Sequence, residues 1–519
     1  MNNVTKEGLE QALKICAAEP IQQIGTIQPH GATLVLSADS LRTVLQASAN
    51  IDQFIDLPTG GALGKSLVEL MGEASVLQIE HLLQNAHAHK TATGLVSATY
   101  QQISVNLDAH VYSSNEFWVL ELCQDAGLPK REQLSKLLMR MQDSLLAIET
   151  DTDTAYYFEQ VALLVHGLTG YDNVMVYRFE ANWDGEVIAQ SRVEAATSYL
   201  GSRFPASDIP AQARELYTKN RIRILTDVGA KVVPIMPLLN PVTQQPLDMT
   251  YSALRSLSPI HVEYLRNMGV QASMSISIMQ NDRLWGLIAC HHLTPKRVSF
   301  AIREAGVFIS RMISTEITAI ETRKERVLLG KLIRIKTKLL KVIIIHSEAT
   351  VLCDLSADLM DIVDASGLIV VVEGKRYVQG QVPEPAAIDA LLGWLGKQSI
   401  TDVFSCDNLA ERFAPASVYS EIVSGIIITM FSSDMRNCVV LLRKETLRTV
   451  KWAGSYEQGL IQTPAGDFRL SPRNSFESWS ELWRGRSAPW SLLDIKIIKA
   501  LDKVCWKVWQ KGINPSGIK

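Results

Sequence analysis

Two stretches of this chain concentrate groups that bind and orient rather than pack. The segment "ALRSLSPIHVEYLRNMGVQASMSIS", 253–277, carries Arg255, Ser258, His261, Tyr264, Ser273 and Ser275, and "CHH" adds His291 and His292. Arginine suits carboxylates because its planar fork donates two parallel hydrogen bonds. Arginines, several hydroxyls and several histidines in one domain therefore point to a pocket for an anionic ligand. Phe204, Tyr177, Tyr264 and Met175 can supply apolar walls, so a large, flat, conjugated dicarboxylate fits. Upstream, "RFPASDIPAQARELYTKNRIRIL", 203–225, holds Asp208 beside two prolines. Considered alone, Ser207 or Asp208 reads as an N-cap with proline early in the helix that follows. Cys16 lies in the polar "ICAAEPIQQIGTIQPHG", 15–31; it is either a reactive exposed thiol or incidental.

The elements that must position these groups alternate between strands and helices. "GATLVLSA" and "TVLQAS" read as paired strands and "EFWVLELC" as a closing strand, giving a first mixed α/β region. "DAGLP" breaks the pattern, and Leu134, Leu137, Leu138, Met141 and Leu145 then form one helical stripe. "NVMVYRFE" and "GEVIAQSRV" are strands around a hairpin-like "ANWDG", and "SMSISIM" and "LWGLIACHHL" return to the sheet. Between them runs a long irregular stretch from about Leu225 to Pro259, of the length that is usually functional. From Phe300 to about Lys341 the pattern is helical; about forty residues of helix would span roughly 60 Å and join domains. The remainder is a third α/β unit with "GLIVVVEG" and "GIIITMF" as its clearest strands.

The chain has 519 residues, 47% hydrophobic and 20% charged, with a net charge of −3. About three domains are expected at that length, and the charge makes no electrostatic case for nucleic acid. The basic run from Arg323 to Lys341 is a solvated helix face or a contact surface. No apolar run reaches the ~18 residues of a membrane span, and Met1–Gln11 lacks the apolar region of a signal peptide. The seven cysteines are scattered, with no C-x-x-C pair, which speaks against a disulfide scaffold or a zinc site and for a cytoplasmic protein. Cys290, in an apolar strand, reads as buried packing.

Taken in order, "IQPHG", "FPASDIPAQARELY", "SPIHVEYLRNMG", "LWGLIACHH" and "SPRNSFESW" closely resemble the bacterial phytochromes, red/far-red photoreceptors built from PAS, GAF and PHY domains. The resemblance covers essentially the whole chain. It implies an α/β (α+β) fold of three tandem PAS/GAF-like domains with antiparallel sheets flanked by helices. These would be a PAS domain at 1–127 with an N-terminal attachment segment, a GAF chromophore-binding domain at 128–320 and a PHY domain at 321–519. It further implies a knotted PAS–GAF junction, with the stretch Leu225 to Pro259 as the lasso, a long joining helix, and a tongue at about 445–495.

The same resemblance implies a covalent biliverdin cofactor, held by a thioether between Cys16 and a vinyl group of ring A. The attachment position of plant and cyanobacterial relatives is Ile260 here, which cannot form that bond. Asp208 and Ile209 would belong to the turn beside the pyrrole nitrogens, with His261 near them. Arg223 and Arg255, with Tyr217, would hold one propionate, and Ser273 and Ser275 the other, with Ser258 in the same site. His291 would bond the ring D carbonyl, and Tyr177, Tyr264, Phe204 and Met175 would pack around ring D. Arg473 would pair with Asp208 in one light state, and Ser475 would take over that contact in the other. In "SFESWSELW" both helical and strand spacing give plausible faces, the mark of two packings close in energy.

The expected partners are the tetrapyrrole, a second copy in a parallel homodimer, and either a C-terminal output domain or a separate signalling protein. A seam at Leu493, Ile497, Leu501, Val504 and Val508 suits the dimer, while Trp506 and Trp509 face a partner or the PHY core. No kinase or cyclase signature occurs, so no enzyme activity is expected; neither nucleic acid nor membrane is an expected partner. The rival readings are a light-insensitive tetrapyrrole or small-ligand sensor and a GAF-pocket enzyme using His261, His291 and Asp208.

Overall fold

The structure, a computed structural model, describes residues 18–39, 42–124, 139, 154–345, 356–398, 400, 402–430, 435–454, 460–462, 468–470, 476 and 478–500. Cys16, Arg473 and Ser475 lie outside these residues. So do most of the stripe at 134–145 and the end of the seam from Leu501 onward. The chain divides into two compact units, Met1–Ile317 with Lys451–Trp479, and Thr318–Val450 with Ser480–Lys519.

The first unit holds a seven-stranded sheet built from β1 (Thr26–Ile27), β2 (Gly31–Leu36), β3 (Val44–Ser48), β4 (Thr91–Tyr100), β5 (Ile103–Ser114) and β6 (Phe117–Gln124). The seventh strand is Val233–Met236, and the order is β1, Val233–Met236, β3, β2, β6, β5, β4. Helices α1 (Leu67–Met71) and α2 (Glu73–His89) cover one face. A reciprocal capping box between Ser66 and Glu69 starts α1. Ile79, Leu82, Leu83 and Ala86 turn one stripe of α2 into the core.

A second sheet contains β7 (Asn173–Phe179), β8 (Gly185–Arg192), β9 (Ser202–Phe204), β10 (Ile222–Leu225), β12 (Ala272–Gln280) and β13 (Arg283–His292), the label β11 being given to Val233–Met236. Its order is β10-β12-β13-β7-β8-β9, continued by β19 (Arg448–Ala453) and β22 (Ser478–Trp483). Alternation along these strands sends Val174, Val176, Ala189, Met274, Ile276, Ile288 and Cys290 into one apolar core. That core packs on α3 (Thr154–Thr169) and on the start of the helix Phe300–Ile345. A Cβ on Gly306 of that helix would lie 2.7 Å from Ile276 Cδ1, so glycine permits the close approach of helix to sheet. The opposite face of the sheet is left for two short helices, α4 (Ala211–Lys219) and α5 (Pro259–Asn267).

One reading from the sequence needs correction. The stretch from Leu225 to Pro259 is not irregular throughout: β11 lies within it and pairs with β1 and β3 of the first sheet. Segment 22–28 runs between two limbs of that stretch. Ile235 N donates to Gly25 O on one side, while Gln28 N to Leu254 O and Ser256 N to Thr26 O close the other. The sheets are antiparallel as expected; among the described pairings β9 and β19 alone run in parallel, through Ser202–Lys451 and Arg203–Trp452.

The second unit is a five-stranded sheet of β14 (Gly367–Val372), β15 (Lys375–Gly380), β16 (Phe404–Cys406), β17 (Gly425–Met430) and β18 (Cys438–Arg443), in the order β15-β14-β18-β17-β16. The β14 run "GLIVVV" is buried on both faces, Leu368, Val370 and Val372 in one core and Ile369 and Val371 in the other. Phe300–Ile345 is a single helix of 46 residues, α6, about four residues longer than the pattern predicts. The expected tongue contains a two-stranded ladder, β20 (Leu460–Gln462) with β21 (Phe468–Leu470), and the tryptophan-rich "SWSELW" is the strand β22. Among the described residues no helix is long and apolar enough to cross a membrane.

Candidate functional site

The polar face of the second sheet is set by strand register. Arg223 on β10 lies opposite Ser275 on β12, Ser275 opposite Ala289 on β13, and Ala289 opposite Met175 on β7. One step along, Ser273 is opposite His291; another step gives Leu287 opposite Tyr177 and Tyr177 opposite Val187. All of these line one cavity, while their sequence neighbours point into the apolar core. A period of two thus separates a ligand face from a packing face on the same strands.

Helix α5 supplies the next wall. His261, Tyr264, Leu265 and Met268 recur at i, i+3, i+4 and i+7 and all line the cavity, as does Ile260. The His261 and Tyr264 rings stack at 5.9 Å and 10°. From α4 and the turn before it come Asp208, Ile209, Gln212, Leu216 and Tyr217, and β9 adds Phe204. The predicted capping role of Ser207 or Asp208 is not found. Helix α4 begins at Ala211 after Pro210, with no side-chain cap, because Ala206–Asp208 forms its own 3-10 turn. Asp208 Oδ2 instead accepts the Tyr264 hydroxyl at 3.0 Å. Tyr177 is seated by Gly185, where a Cβ would come within 1.8 Å of its ring. Phe204 meets it edge-on at 6.0 Å.

Two arginines, Arg223 and Arg255, and two carboxylates, Glu19 and Asp208, line the cavity. Arg223 Nη2 donates to the carbonyls of Arg255 at 2.7 Å and Ser256 at 2.6 Å. The Arg255 guanidinium donates to Ile21 O, and its Nε is buried without a partner. Burial, and then Arg255, lowers the Arg223 pKa well below the ordinary guanidinium value; burial lowers that of Arg255 as well. Among the described residues no carboxylate lies within ion-pair distance of either arginine. Guanidiniums withdrawn from water, with no carboxylate in ion-pair reach among the described residues, favour an incoming anion.

The two histidines are neutral near pH 7. Burial, and then the Arg223 charge, holds His261 down to about 4; burial and His261 hold His291 down to about 4. His291 Nδ1 is buried without a partner, so it is available to a ligand group.

Every described residue predicted for the site reaches the cavity: Met175, Tyr177, Phe204, Asp208, Ile209, Tyr217, Arg223, Arg255, Ser258, His261, Tyr264, Ser273, Ser275 and His291. Two are engaged differently from expectation, since Arg255 reaches Ile21 and Ser258 Oγ donates to Glu19 Oε2 at 3.0 Å. Glu19 and Ile21 themselves line the cavity and were not singled out from the sequence. Neither forms part of a local periodic pattern; the Glu-Pro dipeptide is the one signal near them. His292, named with His291, faces away and pairs with Asp172 at 2.8 Å. Cys290 is fully buried, and burial pushes its thiol pKa up. No group of three or more potential metal ligands occurs among the described residues.

Fold and cavity define a tandem module of antiparallel sheets flanked by helices, with an arginine-bearing cavity on the second sheet. Residues 16–123 match the PAS fold, 157–317 the GAF domain and 333–512 the phytochrome region. The chain is 32% identical over 501 residues to a bacteriophytochrome of Xanthomonas campestris pv. campestris, covering 94% of this chain and 77% of that one. It is 36% identical over 488 residues to cyanobacterial phytochrome B of Nostoc sp., covering 92% of this chain and 64% of the relative. It therefore spans about two thirds to three quarters of the length of these relatives. Among solved structures it resembles a bacteriophytochrome of R. palustris, with a TM-score of 0.83, 30% identity and coverage of 97% and 100%. The Stigmatella aurantiaca phytochrome photosensory core module gives 0.80, 34%, and 96% and 98%. The chain belongs to the bacterial phytochrome family and is a PAS–GAF–PHY photosensory module.

Proposed function

We propose that this chain is a red/far-red light photoreceptor that binds biliverdin covalently through Cys16 and passes a light-driven change through its tongue to an output domain or partner. One observation carries the reading: two arginines that have no carboxylate partner among the described residues share a cavity with neutral histidines and with Glu19, three residues after Cys16. Three residues of chain reach roughly 10 Å, so the thiol is within range of the cavity that Glu19 lines.

The residues present fit the group. The orphaned Arg255 Nε and the Arg223 guanidinium suit one propionate, with Tyr217 beside them. Ser273 and Ser275, on one face of β12, suit the other. His291, neutral and with Nδ1 unengaged, suits a ring carbonyl as donor. The Asp208 backbone carbonyl and His261 would receive the pyrrole N–H groups. Tyr177, Phe204 and Met175 exclude water from the conjugated end. When bound, biliverdin supplies absorption of red light and a double bond between rings C and D that light isomerises.

The signalling half of the reading rests on the returning segment. Phe476 packs edge-on against Tyr264 at 5.0 Å, and Tyr264 bonds Asp208. A change at the ligand end of the cavity thus has a short physical route to the tongue. Arg473 and Ser475 would exchange the Asp208 contact between states, and β22 would be one of two packings of "SFESWSELW". The expected assembly is a homodimer.

The test is an absorbance spectrum of purified protein with biliverdin before and after red light, followed by acid denaturation and zinc staining. A red band that shifts reversibly to the far red, with pigment retained on the chain unless Cys16 is replaced, supports the reading. Pigment without a shift leaves a light-insensitive tetrapyrrole sensor, and no pigment overturns the proposal. For the latch, an Arg473→Ala chain whose photoproduct yield and lifetime match wild type would rule that contact out.

A further inference from the structure

The N-terminal segment is held at the cavity by two side-chain contacts of different kinds. Arg255 donates from its guanidinium to the Ile21 carbonyl, and Ser258 donates its hydroxyl to the Glu19 carboxylate at 3.0 Å. Downstream of Ile21 the segment is further secured, by Gln22 O accepting from Met249 N and by the pairing of β1 with β11. Upstream of Ile21 the Glu19 contact is the last side-chain tie among the described residues, and Cys16 follows three residues beyond it.

Ser258 is also the residue before α5, where a serine hydroxyl ordinarily caps the helix. It makes no side-chain cap here. Its hydroxyl is turned instead toward a carboxylate from the far end of the chain, to which it donates. A hydrogen bond to a charged acceptor is stronger than one between neutral groups, which favours this orientation of the hydroxyl.

We propose that Glu19 is a positioning residue for chromophore attachment: clasped by Ser258, it fixes the chain upstream of Ile21 over the cavity and so sets where the Cys16 sulfur meets the ligand. The inference rests on the reading of Cys16 as the attachment site. Attachment is an addition. The sulfur forms the S–C bond to one vinyl carbon, the double bond is consumed, and the thiol proton ends on the other vinyl carbon, so nothing leaves and no oxidant is needed. Such a step depends steeply on placement, because a well-held pair reacts as if at very high local concentration. Without the Glu19 tie the thiol samples a larger volume, while Arg255 and the β1 pairing keep the segment and the fold in place. The effect therefore falls on the rate of bond formation and not on uptake of pigment.

The experiment mixes full-length wild-type, Glu19→Ala and Glu19→Gln chains with excess biliverdin. Uptake is followed by absorbance, and bond formation by zinc staining of samples denatured at timed intervals. Hydrogen exchange of the ligand-free chains is measured over residues 18–24. Glu19→Ala is expected to slow bond formation about ten-fold, with uptake amplitude kept and faster exchange upstream of Ile21. Glu19→Gln, which keeps an acceptor for Ser258, is expected to recover most of the rate. Bond formation at the wild-type rate in Glu19→Ala, or a loss in step with uptake, overturns the positioning role. A wild-type chain that binds pigment and never retains it after denaturation overturns the Cys16 reading, and this inference with it.

Discussion

The Tyr264 hydroxyl donates to Asp208 Oδ2 at 3.0 Å, and the same tyrosine ring receives Phe476 edge-on at 5.0 Å and 88°. One side chain on α5 therefore touches both the acid of the turn before α4 and a phenylalanine from far along the chain. A tyrosine suits this because its ring is apolar and its tip polar.

Tyr264→Phe should remove the hydroxyl while leaving the ring contact. The carboxylate loses a donor, and hydrogen bonds to charged groups contribute about 1.5–3 kcal/mol. Asp208 is only partly buried, so a loss near the lower figure is expected in urea unfolding of the ligand-free chain. An unchanged unfolding midpoint would show that the bond contributes nothing to stability.

Phe476→Ala should act on the light states instead. The edge-to-face pair is worth about 0.5–1.5 kcal/mol beyond its buried area. If the tongue contact belongs to one state only, its loss changes the balance of states by that amount, a several-fold change in dark reversion rate. Reversion followed by absorbance after red light measures it, and identical kinetics would place Phe476 outside the switch.

Acidification should destabilise the ligand-free chain. His261 and His291 are held to about 4, below the usual 6.5, so between those values the unfolded chain binds protons that the folded chain refuses. Stability then rises with pH through that window and is lost as pH falls from about 6.5 toward 4, by up to about 1.4 kcal/mol per pH unit for each histidine. His30, held to about 3 by burial and two arginines, adds in the same direction. Urea midpoints from about pH 7 to about pH 5 should show the slope, and replacing His261 and His291 together with glutamine should flatten most of it.

Gly185→Ala should disturb the apolar end of the cavity. The added carbon would lie 1.8 Å from the Tyr177 ring, which is backed by Phe179 and Phe204 and has little room to retreat. Overpacking of this kind costs about 1–3 kcal/mol. Lower stability in urea and weaker pigment uptake are expected together; uptake and stability at wild-type levels would show that the ring moves freely.

What the sequence determined by itself was periodic. The alternation in "SMSISIM" and "LWGLIACHH" already sends Ser273, Ser275 and His291 to one face and Met274, Ile276 and Cys290 to the other. The i, i+3 spacing of His261 and Tyr264 likewise puts both on one face of α5. Such patterns are legible because the backbone repeat alone decides which side chains share a face. Ordered motifs added the family, and with it residues such as Arg223 and Ile209 that no local rule selects.

Tertiary structure decided which faces meet. Asp208 reads locally as a helix cap, yet the chain gives it a 3-10 turn and a partner 56 residues away. Arg255 reads as a ligand clamp and also ties Ile21, 234 residues back. Glu19 meets Ser258 across 239 residues, β11 leaves its own neighbours to join the first sheet, and β19 pairs in parallel with β9. The physical reason is the same in each case. A local pattern states that a group is polar or apolar and where it points, whereas its partner is chosen by closing a long loop, whose cost grows only slowly with length and so leaves little trace in sequence spacing.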